Sequence, residues 1–184
     1  VSRTMLTKVP EELTDYRQAA FCALGGIALE GIHQAEVVPG ETVAVIGMGL
    51  VGQIVCRILN AYGCDVIGYD VVDKTMPGTR LKAFINSGDD NAADMTKALT
   101  RGRGVDKVII TAATNSNAPM DLAAAIARDR GIICMIGVTQ MNIDRRPYYE
   151  RELSFRIARS YGAGRYDSTY EQKGIDYPIG YVRF

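Results

Sequence analysis

The chain has 184 residues, enough for one domain with a full hydrophobic core. Its 21 basic side chains balance its 21 acidic ones, which argues against a general nucleic-acid binder, since that class carries a basic excess. The longest apolar run, residues 19–29, is too short to cross a bilayer, and residues 1–10 lack the apolar core of a signal peptide. The sequence therefore predicts a cytoplasmic protein with no nucleic-acid or membrane partner.

The first 38 residues are expected to form a leading segment and a helix. Apolar spacing over residues 15–34 predicts the helix, and Gly25-Gly26 within it predicts either a break or the close approach of another backbone. The single histidine, His33, falls at the end of this helix. Because no partner or pocket is visible for it, it is predicted to be a surface or capping residue.

A β-α-β unit follows and begins the predicted dinucleotide-binding domain, residues 39–161. Residues 42–46 are a short β-branched run typical of a buried parallel strand. Apolar residues at helical spacing then predict a helix over 50–62 that stops at Gly63, and residues 65–69 predict a second strand.

Beyond this unit the pattern is less regular. Pro77-Gly78 stands where a second helix is expected, and residues 83–85 predict a short third strand. The alternation of strands and helices predicts a doubly wound α/β Rossmann fold with a mostly parallel six-stranded sheet. The later elements are a helix at 92–101, a strand at 106–111, a helix at 120–127 and strands at 131–137 and 152–158. Residues 162–184 read as a C-terminal tail, and the chain looks truncated at both ends.

The glycine-rich turn between the first strand and its helix carries the functional prediction. Gly47, Gly49 and Gly52 form G-x-G-x-x-G, and Asp70 ends the second strand 18 positions after Gly52. In a dinucleotide site, the first glycine makes the tight turn, the second admits the pyrophosphate and the third lets the helix pack closely. The backbone N–H groups at Leu50 and Val51 would face the pyrophosphate, and Asp70 would bind the adenosine ribose. The alternative is that these glycines serve only a tight strand-to-helix turn.

Asp70 also favours NAD over NADP, because a carboxylate at that place repels a 2′-phosphate. Lys74 follows nearby but stands beside the acid Asp73, which makes a poor phosphate site. Thr111 and Val138 end the fourth and fifth predicted strands, where ligands of open α/β sheets bind. They are therefore predicted to border the cofactor, with simple strand termination as the alternative.

The four cysteines, at positions 22, 56, 64 and 134, lie in apolar segments and form no C-x-x-C motif. They are predicted to be free, buried thiols. A four-cysteine zinc site is not expected at these spacings, and no metal ligands are predicted in this chain.

Several stretches resemble the cofactor domain of zinc-type medium-chain alcohol dehydrogenases. They are V-P-E-E-L at 9–13, A-A-F at 19–21, P-G-E-T-V-A-V-I-G-M-G-L-V-G at 39–52, and residues 104–106, 131–137 and 152–153. Together these stretches extend over most of the chain. The chain is also similar to the dehydrogenase half of a subgroup in which this unit is joined to a second oxidoreductase domain.

This resemblance implies NAD-dependent hydride transfer between the nicotinamide and a small alcohol or carbonyl substrate. It implies a homodimer formed through residues 139–158. The cofactor contacts that it implies are Gly47, Gly49, Leu50, Val51, Gly52, Asp70, Thr111 and Val138.

The departures from the family pattern set limits on the prediction. The zinc ligands and proton relay of that family come largely from a preceding domain that this sequence lacks. The catalytic residues are therefore unknown, zinc is expected only in a full-length protein, and this chain alone is expected to be inactive. Cys22 aligns with one family ligand but stands in an apolar helix, which predicts a core thiol. Residues 71–86 are shorter than the usual helix there, which puts the adenine-side wall in doubt.

Three other functions stay open. A regulatory module could use the same fold to sense a nucleotide. A zinc-free quinone or enoyl reductase of the same superfamily would commonly prefer NADP, against which Asp70 argues. A methyltransferase that uses S-adenosylmethionine shares the glycine turn and the acidic strand end, but Gly52 and the helix after it favour a dinucleotide.

Overall fold

In the computed structural model, which describes residues 2–178, six strands form one sheet in the order β3-β2-β1-β4-β5-β6. The strands are β1 (Thr42–Ile46), β2 (Asp65–Asp70), β3 (Ala83–Asn86), β4 (Val105–Ile110), β5 (Ala127–Met135) and β6 (Ser154–Ile157). Every pairing between neighbours is parallel. The predicted α/β Rossmann fold is therefore confirmed, and its sheet is parallel throughout.

Helices cover both faces of this sheet. The helices are α1 (Tyr16–Ala19), α2 (Cys22–Gln34), α3 (Leu50–Ala61), α4 (Ala92–Leu99), α5 (Ala118–Ile126), α6 (Arg145–Glu150) and α7 (Ser168–Glu171). Of these, α2 to α5 pack on the sheet. Along β1, Val43 and Val45 face the layer of α2 and α3, whereas Ala44 and Ile46 face the layer of α4 and α5. This alternation follows from the two-residue period of a strand, and it explains why β1 is apolar at each of its four buried positions, 43–46.

The leading helix differs from the prediction. Its break falls at Ala20 and Phe21, between α1 and α2, and α2 runs without interruption through Gly25 and Gly26. A Cβ built on Gly26 would lie 3.6 Å from Cβ of Tyr161. This is an ordinary van der Waals distance to a side chain, and a Cβ built on Gly25 has no heavy atom within 4 Å, so the glycine pair marks neither the break nor the close approach of another backbone.

The boundary between α5 and β5 was also misplaced. The strand begins at Ala127, four residues before the predicted Gly131, and it ends at Met135. Its pairing with β4 is irregular, because Val105 pairs with Ala127 whereas Lys107 pairs with Ile132. The extra residues of this bulge are polar, so the apolar pattern alone could not place them in the strand.

Two short helices were not predicted. The N-cap of α6 is Asp144, whose side chain accepts from the Arg146 N–H at 3.0 Å. The N-cap of α7 is Asp167, which accepts from the Thr169 N–H at 2.8 Å. The part of the predicted tail before residue 179 therefore contains a helical turn, and residues 179–184 lie outside the described range.

Three of the cysteines are buried and one is exposed. Burial raises the pKa of the Cys56 and Cys134 thiols to about 12, so both are protonated at neutral pH. Cys22 is exposed, which corrects the prediction of a core thiol. It is the first residue of α2, and this helix buries only Ala28, Gly31 and Ile32. Within residues 2–178, no helix is long and apolar enough to cross a membrane.

Candidate functional site

A cleft of about 560 Å³ opens at the carboxyl ends of β1 and β4. These two strands lie where the strand order reverses, since β2 and β3 follow on one side of β1 and β5 and β6 on the other side of β4. Ligands of open α/β sheets bind at such a point. The walls come from the strand ends, the loops after β2, β3 and β4, and the first turns of α5.

The glycine turn, residues 47–52, forms the floor of this cleft. Gly47 has a φ of 103°, and a Cβ there would lie 2.5 Å from the Ala112 nitrogen. A Cβ on Gly52 would lie 2.0 Å from the Gly47 oxygen. Both positions therefore require glycine for the packing of the protein itself, whether or not a ligand binds.

Gly49 is different. Its φ of −74° is open to any residue, and a Cβ built there has no heavy atom within 4 Å. Neither the turn nor the packing therefore needs a glycine at this position, although it lines the cleft. A ligand that approaches the backbone would need it, so the tight-turn alternative accounts for two of the three glycines and leaves Gly49 unexplained.

The N-terminus of α3 points toward the same space. Gly49 is its N-cap, and no side chain caps the helix. The N–H groups of Leu50, Val51 and Gly52 therefore lack intrahelical acceptors, and they carry the positive end of the helix dipole. The side chain of Leu50 is 51% exposed, and that of Val51 packs against the α2 and α3 layer. Any contribution of these two residues to binding would come from the backbone.

Asp70 is buried at the end of β2 and its carboxylate already has partners. Its Oδ2 accepts from the Met48 N–H at 2.8 Å, and its Oδ1 lies 3.0 Å from Nζ of Lys74. Burial raises the pKa of Asp70, but hydrogen bonds from Lys74, Met48 and Val72 outweigh it and hold the pKa below its ordinary value. The group is therefore ionised at neutral pH, and Lys74 lies closer to the site than the sequence suggested.

Thr111 and Val138 occupy different places. The Thr111 hydroxyl donates to the Gly47 oxygen at 2.5 Å and lines the cleft. Val138 donates its N–H to the Ala112 oxygen at 3.0 Å, but its side chain is 74% exposed and lies outside the cleft lining. The cleft thus brings together Gly47, Gly49, Asp70 and Thr111. Leu50, Val51 and Gly52 border it through their helix, and Val138 stands apart.

One residue at the site was missed. Gln53 is 3% exposed, and its side chain bonds both to the glycine turn and to the loop after β2. The available signal was a polar residue on the otherwise apolar buried stripe of α3, which holds Val55, Cys56 and Leu59.

The described residues offer no metal site. Across positions 2–178, no three histidine, cysteine or acidic side chains come together in a way that could hold a metal ion. His33 is half-buried in the last turn of α2, outside the cleft lining, and burial lowers its pKa while Glu30 opposes that shift. Neither it nor the exposed Cys22 belongs to a group of three such side chains within residues 2–178.

Comparison with known sequences finds polyol and sugar-related enzymes. The chain is 28% identical over 177 residues to "Sorbitol dehydrogenase" of Bacillus subtilis, which spans 92% of this chain and 47% of that protein. It is 27% identical over 169 residues to "Probable D-xylulose reductase A" of Emericella nidulans, with 86% of this chain and 46% of that protein covered. The chain therefore spans about half the length of these curated relatives.

Solved structures share the fold. Galactitol-1-phosphate dehydrogenase from Escherichia coli superposes with a TM-score of 0.76 at 19% identity, over 87% of this chain and 48% of that one. Zinc-dependent alcohol dehydrogenase 2 from Streptococcus pneumoniae, in its apo form, gives a TM-score of 0.72 at 25% identity, over 92% of this chain and 51% of that one.

A comparison with protein-family models also matches the chain. The match runs from residue 51 in the first turn of α3 to residue 176 in the tail, which is well over half of the chain. It takes in the end of the glycine turn, Asp70 and every later strand. The chain therefore belongs to the family described as zinc-binding dehydrogenase.

Proposed function

We propose that this chain is the NAD(H)-binding part of an alcohol dehydrogenase-like oxidoreductase. The bound nicotinamide cofactor would supply hydride transfer to or from a small alcohol or carbonyl. This chain would bind the dinucleotide and orient it across the carboxyl edge of the sheet. The catalytic residues, and zinc where the full-length protein uses it, would come from outside the described residues.

The observation that carries this proposal is the combination at Gly49. This glycine is not required by the fold, lines the cleft, and caps a helix whose first N–H groups have no side-chain partner. Open space beside free N–H donors and a positive dipole end suits a pyrophosphate. The residues present therefore fit a dinucleotide, with the phosphates at Gly49, Leu50 and Val51.

The adenosine ribose would lie at Asp70. This carboxylate is ionised and would accept from the ribose hydroxyls while it keeps the Met48 N–H on its other oxygen. It would also repel the 2′-phosphate of NADP, although Lys74 at 3.0 Å offsets part of that charge. Thr111 is expected to border the nicotinamide half from the other side of the cleft, with Val138 a more distant contact.

The substrate is proposed from the relatives. The two curated relatives are named for sorbitol and D-xylulose, and a solved relative for galactitol 1-phosphate. These are a polyol, a ketose and a polyol phosphate. A small polyol or its carbonyl counterpart is therefore the proposed substrate class of the full-length protein. The cytoplasmic location expected from the sequence stays a prediction.

A homodimer through residues 139–158 is also proposed. The strand β6 is an edge of the sheet, and Ile157 on it is 56% exposed. Other large apolar side chains around this region are exposed as well, namely Val138, Met141, Ile143 and Tyr149. Sedimentation of the wild type and of Ile157→Lys tests this, with a dimer expected for the first and a monomer for the second. A monomeric wild type would contradict it.

Calorimetric titration with NADH and NADPH tests the cofactor. We expect NADH to bind and NADPH to bind at least about tenfold more weakly, a difference of about 1.4 kcal/mol. Asp70→Asn is a suitable variant, because its amide oxygen can still accept from the Met48 N–H while the negative charge is gone. This variant is expected to lose most of the preference for NADH.

Two results would contradict the proposal. Absence of binding of either nucleotide at millimolar concentration by folded protein would favour the structural or regulatory alternatives. A preference for NADPH would instead favour a zinc-free reductase of the same superfamily and would reassign Lys74 as the phosphate contact.

A further inference from the structure

The loop after β2 forms one wall of the cleft without any helix or strand of its own. Segment 71–82 is irregular throughout, and Val71 and Lys74 line the cleft. Leu81 packs against the α2 and α3 layer at the end of the segment away from the cleft. The part beside the cleft contributes no buried apolar side chain, since Val71, Val72 and Met76 are all about half exposed or more. Something other than its own packing must therefore hold this wall in place.

Gln53 supplies much of that hold. Its Nε2 donates to the Met48 oxygen at 3.2 Å and to the Lys74 oxygen at 2.9 Å. Its Oε1 accepts from the Met76 N–H at 3.3 Å and from the Thr79 hydroxyl at 3.0 Å. Both donors and both acceptor sites of the amide are used, which is the full capacity of a glutamine side chain.

These four bonds join the two parts of the cleft. Met48 belongs to the glycine turn, whereas Lys74, Met76 and Thr79 belong to segment 71–82. The Lys74 backbone is fixed by Gln53, and the Lys74 ammonium lies 3.0 Å from Asp70 Oδ1. The Asp70 carboxylate in turn binds the Met48 N–H. Gln53 therefore closes a ring of contacts around the carboxylate that would face the ribose.

We infer that Gln53 is a positioning residue for the adenosine end of the dinucleotide. It holds segment 71–82 against the glycine turn so that Lys74 and Asp70 present one fixed arrangement to the ribose. This inference rests on the proposed function. Gln53 is buried among apolar neighbours on α3, and all four of its hydrogen-bond sites have partners. Leaving those partners unpaired would cost folding free energy, so the amide favours the one position of the segment that satisfies them all.

The chain offers a matched control on the same helix. Asn60 donates to the Arg80 oxygen at 3.0 Å and accepts from the Arg80 N–H at 2.9 Å. It thus holds the same segment by two hydrogen bonds, but about two turns further along α3 and next to the amino end of β2. Loss of the Asn60 side chain should therefore loosen segment 71–82 near Arg80, at the end that does not face the cleft.

The experiment compares wild type, Gln53→Met and Asn60→Ala. Met has nearly the shape of Gln but makes none of the four hydrogen bonds. NADH affinity is measured by fluorescence titration, and AMP and reduced nicotinamide mononucleotide are measured as competitors. Hydrogen exchange of the backbone over residues 72–80 is followed without nucleotide, and urea unfolding gives the folded fraction.

We expect Gln53→Met to weaken AMP and NADH at least tenfold and the nicotinamide mononucleotide less than threefold. Exchange over residues 72–80 should rise at least tenfold. Asn60→Ala should change the affinity for AMP less than threefold. A purely structural role for Gln53 would lower the unfolding midpoint and leave the affinity of the folded fraction unchanged, or would weaken both halves of the dinucleotide equally.

Each outcome decides the matter. If Gln53→Met binds AMP as wild type does while wild type binds NADH, the role of Gln53 is overturned and the proposed function stands. If wild type binds no NADH, the proposed function and the role of Gln53 in binding are both overturned. This holds even where hydrogen exchange shows that Gln53 fixes the segment. Loss of AMP affinity in Asn60→Ala equal to that in Gln53→Met would also overturn the assignment.

Discussion

The glycine turn and segment 71–82 face each other across one cleft, but different forces hold them. The turn is fixed by backbone contact, as Cβ atoms at Gly47 and Gly52 would lie 2.5 Å and 2.0 Å from other backbone atoms. The segment is fixed by side chains that reach out from α3, above all Gln53. Steric contact tolerates no change, whereas a set of hydrogen bonds can be weakened one at a time. The glycine turn and segment 71–82 should therefore respond very differently to substitution.

The largest effect is expected for Gly52→Ala. The added methyl group would overlap the Gly47 oxygen and press on the Thr111 hydroxyl at 2.9 Å, and neither the backbone nor the helix can move away freely. Overpacking typically costs about 1–3 kcal/mol, and contact with a backbone atom puts this variant at the upper end of that range. Urea unfolding measures this loss directly. A loss below about 1 kcal/mol would mean that the turn is more adaptable than its geometry implies.

Gly49→Ala separates binding from stability within the same turn. The methyl group enters open space, and the N-cap change from glycine to alanine should cost less than about 1 kcal/mol of folding stability. If the pyrophosphate lies there, NADH affinity should fall at least about tenfold, or 1.4 kcal/mol. Calorimetry on the folded variant gives the answer. Unchanged affinity would remove the main support for the nucleotide site.

Asp70 contacts both Met48 in the glycine turn and Lys74 in segment 71–82, and protonation of its carboxylate at low pH should weaken both contacts. Its pKa in the folded protein lies below the ordinary value, so its contribution to stability is complete above the unfolded pKa of about 3.9 and is lost as pH falls through the folded value. Asp70→Asn should be about 1 kcal/mol less stable than wild type at pH 7. The gap should close as pH falls below 4. Urea unfolding at a series of pH values tests this, and a gap independent of pH would show that Asp70 is not the titrating group.

The smallest effect is expected for Arg57→Ala. Arg57 also binds the segment, donating to the Pro77 oxygen at 2.6 Å, but it does so on the exposed surface. Water can replace such bonds, so the loss of stability should stay within about 0.5 kcal/mol. A loss as large as that of Gln53→Met would mean that burial is not what distinguishes the two side chains. Thermal unfolding of both variants in one buffer makes the comparison.

The same contrast explains what the sequence could predict. The glycine turn was predictable because a steric requirement allows only glycine at fixed positions. β1 was predictable because burial on both faces makes residues 43–46 apolar. The doubly wound sheet followed from the alternation of such elements. The bulge in β5 was not readable, because Arg128 to Arg130 carry no apolar pattern and are placed by contacts with other strands, such as Arg128 with Asp106 at 2.6 Å.

The arrangement around Asp70 was only partly predictable. The acid could be placed at the end of β2 from its position after the second predicted strand. That its two oxygens already bind Met48 and Lys74 depends on how an irregular segment folds back, and no local pattern encodes that path. The exposure of Cys22 was missed because the helix was expected to run unbroken from residue 15. The break at Ala20 and Phe21 makes Cys22 the first residue of α2, whose buried residues begin only at Ala28.

The strand order also matters while the protein is being made. β1 lies between β2 and β4, and its register pairs Ile46 with both Tyr69 and Ile110. During synthesis, β2 and β3 emerge soon after β1, but β4 begins only at Val105. At about 5–20 residues per second, β1 would keep one apolar edge unpaired for several seconds. Such an unpaired edge is a template for pairing with other chains, so this interval is when the growing chain is most exposed to aggregation.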